Sequence, residues 1–197
     1  SLFGLHLVNA DNTNLNFAAD DSVNFQVQAI KSQQDKRNVT FQLVGGTDVT
    51  TLSTTSSFAG VYNNEKWNFA VRIKPQGYPQ SFASGALDSD YTVEFYGVSY
   101  IADRKINEFI LSSSVQKQTA ENFLISAKRI YVGSHKTNFT GSTLQEADTK
   151  ITSCRYWFNY LDNETIQNHA IDPGNFGIKT PVRDSYMLES DLASIQV

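Results

Sequence analysis

"CRYWFNYLDNETIQNHAIDPGNFG", residues 154–177, holds the only cysteine, one of the three histidines and several carboxylates, yet its pattern is that of a structural seam. Across 150–160 apolar and aromatic residues recur at every second position. That spacing predicts a strand with Cys154, Tyr156 and Phe158 on one face and Trp157 on the other. Asp162 is then a good helix N-cap, Glu164 falls in the first turn, and Ile166 shares a face with Ala170. The helix must stop before Asp172-Pro173-Gly174. On this reading Cys154 is a buried strand thiol, since neither a histidine nor an acid flanks it closely enough to activate it. His169 is a packed, hydrogen-bonded ring on the inner side of the helix, and the acids cap or face solvent.

The same period of two runs outward through the chain. "SVNFQVQAI" (22–30) sets Val23, Phe25, Val27 and Ala29 against Asn24, Gln26 and Gln28, and "WNFAVRIKP" (67–75) turns Phe69, Val71 and Ile73 inward until Pro75. Further strands are predicted at 2–8, 40–44, 91–98, 105–111 and 128–133, where β-branched and aromatic residues concentrate. Gly, Asn, Asp and Ser cluster between them, as in "VGGTD", "YNNEK" and "SGALDSD". Many short strands with one small helix predict an all-β fold. The expectation is an antiparallel two-sheet β-sandwich of jelly-roll type, with one short C-terminal helix. It forms a single unit over residues 1–177, followed by an extension or linker over 178–197.

Composition bounds the partners. The 197 residues carry a net charge of −4, so the basic footprint of a nucleic-acid binder is missing. No apolar run approaches the roughly 18–20 residues of a spanning helix, so no membrane insertion is expected. The single cysteine excludes an internal disulfide. The start at Ser1 without a basic-then-apolar leader, and the end at "SDLASIQV", are those expected of a processed chain or a piece of a longer one.

Four segments in order carry a resemblance. "EKWNFAVRIK" resembles the strand of laminin-G-like, concanavalin A-like sandwiches that opens with Lys-Trp and continues in alternating hydrophobics. "YTVEFYGVSYIAD" resembles the next hairpin, although the family's Asn-Gly tip is missing. "KRIYVGSHKTNFTGS" resembles a strand ending in one glycine, Gly133, with a second, Gly141, beyond the loop. "ADTKITSCRYWFNYLDNETIQNHA" resembles the closing strand and helix, with Ile151, Cys154, Arg155, Tyr156, Leu161 and Ile166 at the family's positions and Thr165 in place of its second acid. The resemblance spans about residues 15–170. The tail "NHAIDPGNFGIKTP" looks like an extension of such domains in structural proteins of tailed phages and other viruses. What the resemblance implies is a lectin-glucanase jelly roll in which Trp67, Gly133, Gly141, Ile151, Cys154, Leu161 and Ile166 are structural, Trp67 plugging the sandwich edge.

Enzyme chemistry finds little purchase in these residues. Glycoside hydrolysis needs two carboxylates about 5–10 Å apart, and the Glu-x-Asp-x-x-Glu string of the sandwich glucanases is absent. Asp88, Asp90, Glu146, Asp148, Asp162 and Glu164 read as loop or cap acids. His6, His135 and His169 lack metal-ligand spacing. No cofactor is expected apart from a possible calcium ion, for which Asp20, Asp21, Asp88 and Asp90 are hard oxygen donors in loops. Sugar binding would use flat rings beside polar groups, which nominates Tyr78, Tyr100 and Trp157 with Asp88 and Asp90. The expected role is therefore non-enzymatic: a structural or adhesive module of a virus particle or extracellular assembly, contacting other subunits, with glycans as a candidate ligand. A stand-alone cell-surface lectin domain is the alternative, and a divergent glycoside hydrolase, with Asp88, Asp90 or Glu94 as its acids, is the third reading.

Overall fold

A computed structural model describes residues 1–7, 24–46, 49–63, 65–77, 89–136, 142–157, 160–172 and 174. Among these the chain forms antiparallel strands and two short helices. The larger sheet runs β4 (Leu52–Ser53), β3 (Asn38–Gly45), β2 (Phe25–Lys31), β1 (Phe3–Leu7) and β9 (Lys128–Val132), with β5 (Phe58–Ala59) also paired to β3. The smaller sheet is β6 (Lys66–Pro75), β7 (Tyr91–Ile101) and β8 (Arg104–Val115). A two-stranded ribbon, β10 (His135–Lys136) and β11 (Thr143–Leu144), completes the strands.

Alternation decides which faces meet. Phe25, Val27, Val39, Phe41 and Leu43 of the larger sheet are buried together with Val93 and Phe95 of the smaller one. Phe41 is the pin between the layers, with its ring centroid 4.7 Å from Phe69, 4.8 Å from Trp67 and 5.7 Å from Phe109. Two β-layers facing across one apolar core make this an all-β, sandwich-like arrangement. Gly97 belongs to this packing: a Cβ there would lie 2.4 Å from Phe109 Cε1.

The helices differ from expectation in number. Besides α2 (Asn163–Ile171), a helix α1 (Lys117–Ile125) follows β8 directly. Its N-cap residue, Gln116, makes no side-chain cap, so the local start signal was missing. The N–H of Lys117 donates instead to Asp90 Oδ1 at 3.1 Å, across 27 positions of sequence. Ala120 is buried in the core, and the Phe123 ring stands 5.6 Å from Phe25. In α2 the local signals operate: Asp162 accepts from the Thr165 N–H at 2.8 Å, and Ile166 and Ala170 pack on Tyr96 and Val98. That contact covers the outer face of the smaller sheet.

The predicted closing strand is corrected. Residues 150–157 and 160 belong to no sheet. Ser153 has φ 57°, a left-handed value that breaks the extended run a ladder needs. Cys154 is consequently exposed rather than buried, and Ile151 is 38% exposed. Ile151 still touches the fold, with Cδ1 3.8 Å from where a Cβ of Gly133 would sit. Gly133 itself, at φ +79°, occupies a conformation that favours glycine.

Candidate functional site

The outer face of the larger sheet is its distinctive surface. The residues out of phase with the core are Gly4 and His6 on β1, Gln26, Gln28 and Ile30 on β2, Thr40 and Gln42 on β3, and Ser53 on β4. Pairing aligns Ser53, Gln42 and Gln28 in one row across three strands. A second row crosses from Tyr131 through Gly4 to Gln26. The open half, with Thr40, Gln42 and Gln28 half-buried and Ser53 exposed, bears amides and hydroxyls bordered by the aliphatic Ile30, 41% exposed, and half-buried Val44.

The other half is organised by the β10–β11 ribbon. Gln26, with 0% of its surface exposed, places Nε2 2.7 Å from His135 Nδ1. Its Oε1 accepts from Gln28 Nε2 at 2.8 Å, and that nitrogen also donates to Gln145 Oε1 at 3.1 Å. A fully buried amide needs such partners, because an unpaired one costs on the order of 1–3 kcal/mol. The His6 ring is 5.2 Å from His135 and 4.9 Å from Tyr131. Burial, followed by the neighbouring His135, pushes His6 down to about 4, and burial lowers His135 as well. Gly4 makes room for this layer, since a Cβ there would meet Phe25 O at 2.6 Å and Gln26 Cγ at 3.3 Å. The network thus holds the Gln28 amide in a defined place at the border of the open surface.

A second polar cluster lies under α2, on the outer face of the smaller sheet. Glu94 contacts Arg72 Nη2 through Oε2 and Lys74 Nζ through Oε1, both at 2.9 Å, and the Arg72 and Glu94 side chains are only 4% and 9% exposed. The Tyr160 hydroxyl donates to Glu94 Oε2 at 2.8 Å, and Arg72 Nη1 donates to Leu161 O at 3.0 Å. Burial alone would raise the Glu94 carboxyl, but Lys74, Tyr160 and Arg72 together hold it below the usual carboxylate range. Hydrogen bonding to Glu94 raises Lys74 in return. Fully partnered in this way, Glu94 anchors the 160–161 segment and the start of α2 rather than standing free as an acid or nucleophile. Beside it Tyr96 and Gln167 share Glu108, with Tyr96 Oη 2.5 Å and Gln167 Nε2 2.9 Å from Oε1.

The residues nominated from sequence do not converge. Tyr78, Asp88 and Gly141, together with Asp20 and Asp21, lie outside the described residues. Asp90 is exposed and engaged at the α1 N-terminus. Tyr100 lies at the opposite end of β7, ten residues and about 33 Å of strand away, half-buried beside Tyr96 and Val98. Trp157 stacks on the buried His169, with centroids 5.6 Å apart and planes at 19°. One ring face is thus committed to α2. His169 Nε2 has no hydrogen-bond partner, and burial, then the charge of Arg155, pushes this histidine down to about 4. Trp67 stacks on Phe69 with planes at 6°, and its Nε1 donates to Glu65 at 3.0 Å. Leu161 and Ile166 pack in the small core beneath α2. Among the described residues no group of three or more His, Cys, Asp or Glu is placed to hold a metal ion.

The amide row was passed over because "FQVQ" reads only as outward polar positions, and Gln42 becomes a neighbour of Gln28 through pairing alone. Comparison with protein-family models, with curated proteins and with solved structures returns no match.

Proposed function

We propose that this chain is a non-enzymatic structural or adhesive module of a virus particle or extracellular assembly, and that it contacts glycans through the open half of its amide face. One observation carries the reading: Ser53, Gln42 and Gln28 form an uncharged row across three strands, with Gln28 fixed from behind by Gln26 and Gln145. Neutral sugars present hydroxyl groups that both donate and accept; the Gln42 carboxamide does the same, and Gln28, whose two N–H groups go to Gln26 and Gln145, offers its oxygen as an acceptor. An ionised face would favour charged ligands instead. The Glu94 cluster supports the non-enzymatic side of the reading, since its acid is spent on two cations and a phenol.

The test is a glycan array probed with the chain displayed multivalently, beside Gln28→Ala/Gln42→Ala. Binding that the double variant loses by tenfold or more supports the reading. Silence of the parent chain, or binding indifferent to the variant, removes the amide face from the proposal. Binding of full strength by the isolated monomer favours the alternative, a stand-alone lectin domain.

A further inference from the structure

β8 is an unusual edge. It is a 12-residue strand, about 40 Å long, and among the described residues it pairs only with β7. Its other side offers a row of main-chain donors and acceptors of the kind that proteins normally blunt with lysine, proline, bulges or very short edge strands. The other edges are blunted in these ways. β6 carries Lys66, Lys74 and Pro75, and Lys66 Nζ is tied to Ala170 O of α2 at 2.7 Å. β9 has only five residues and begins Lys128-Arg129, while β4 and β5 have two residues each. The irregularity of the β7–β8 pairing lies near the hairpin end, where Ser99 pairs with Asn107 and Tyr100 with Lys105, so that Ile106 is the bulged residue of β8. The regular stretch from Asn107 to Val115 contains neither proline nor lysine, and its one charge, Glu108, is paired to Lys105. Ile106 and Ile110 are 43% and 49% exposed.

The strand is also complementary to itself. Turned antiparallel about Ile110, "NEFILSSS" (107–114) matches its own apolar centre: Ile110 meets Ile110, and Phe109 meets Leu111 twice. Glu108 falls opposite Ser112 and Asn107 opposite Ser113. No like charges face each other, whereas shifting the axis to Glu108 would oppose two carboxylates, a destabilising arrangement. We infer that this edge of β8, unpaired among the described residues, is a homotypic interface, where two copies of this chain pair β8 against β8 about a two-fold axis at Ile110. The two small sheets then join into one continuous antiparallel sheet, with the regular stretch from 107 to 113 inside the ladder. A closed two-fold contact of this kind uses the same patch on both copies. The inference rests on the assembly half of the proposed function and names its contact.

Sedimentation of the full chain gives a dimer on this account, and Ile110→Lys, a change at an exposed position, gives a monomer with an unchanged circular dichroism spectrum. In a Cys154→Ser background, Ile110→Cys crosslinks to its mate on mild oxidation. Glu108→Cys does not, because its mate is displaced four residues, about 13 Å, along the ladder. A dimer that persists in Ile110→Lys, or crosslinks equally through both cysteines, overturns the β8 contact and leaves assembly standing on another surface. A chain that stays monomeric at every concentration overturns both, and the glycan array then stands alone.

Discussion

The β7–β8 hairpin turns on two residues, Ala102 and Asp103, lying between the paired Ile101 and Arg104. Their φ angles are 47° and 62°, so both central residues are left-handed, as in the type I′ turn that matches strand twist. For non-glycine residues that conformation costs about 1–2 kcal/mol each, less for Asp, whose side chain bonds locally. Both residues are exposed, so replacing them removes no core contact. Ala102→Asn/Asp103→Gly supplies the residues this turn prefers. It relieves about 2 kcal/mol of strain, against about 0.5–1 kcal/mol lost to the freer glycine in the unfolded chain. The net expectation is about 1–1.5 kcal/mol of stabilisation. For a chain of this size that is about 2–6 °C in Tm. Urea denaturation measures it directly, as a higher midpoint with an unchanged slope. Asp103→Ala supplies the opposite sign, since alanine lacks the short polar side chain that makes aspartate more tolerant of the left-handed region. A double variant no more stable than the parent, with Asp103→Ala neutral, refutes the strained turn.

Two further outcomes follow from the buried polar groups. Glu94→Leu strands the Arg72 guanidinium under α2 and is expected to cost about 3–5 kcal/mol, while adding Arg72→Leu recovers most of it. A double-mutant cycle in urea checks this, and a Glu94→Leu cost below about 1 kcal/mol contradicts the clasp. Burial, then the charge of Arg155, pushes His169 down to about 4 in the folded state, against the ordinary imidazole value of 6.5, so the unfolded chain takes up protons first as pH falls. Stability attributable to it is complete above about pH 6.5 and declines toward pH 4, by up to about 3 kcal/mol. His169→Phe should make the decline of the urea midpoint shallower over that range, with His6 keeping its own share, and an identical pH profile for both proteins would show the ring to be solvated.

Much of the fold was legible because β burial is a local code. Val27, Phe41 and Phe95 announce their face by period two, and Asp162 caps its helix through an N–H only three residues away. The 150–160 segment obeyed the same code and was misread as a strand. Alternation describes side chains, whereas a strand also needs an open partner edge and uninterrupted extended backbone, and Ser153 departs from it. The nominated site scattered because rings and acids in loops say nothing of one another's position.

What the sequence alone determined is therefore the set of inward faces and the capped helix at Asn163–Ile171. Tertiary structure decided the rest. Asp90 caps a helix 27 residues away, Glu94 meets a tyrosine 66 residues away, and Gln42 joins Gln28 and Ser53 in a row. These are pairings between residues whose local preferences are equally satisfied elsewhere. Only the packing of two sheets and two helices selects among them, since burial obliges each polar group to find a partner.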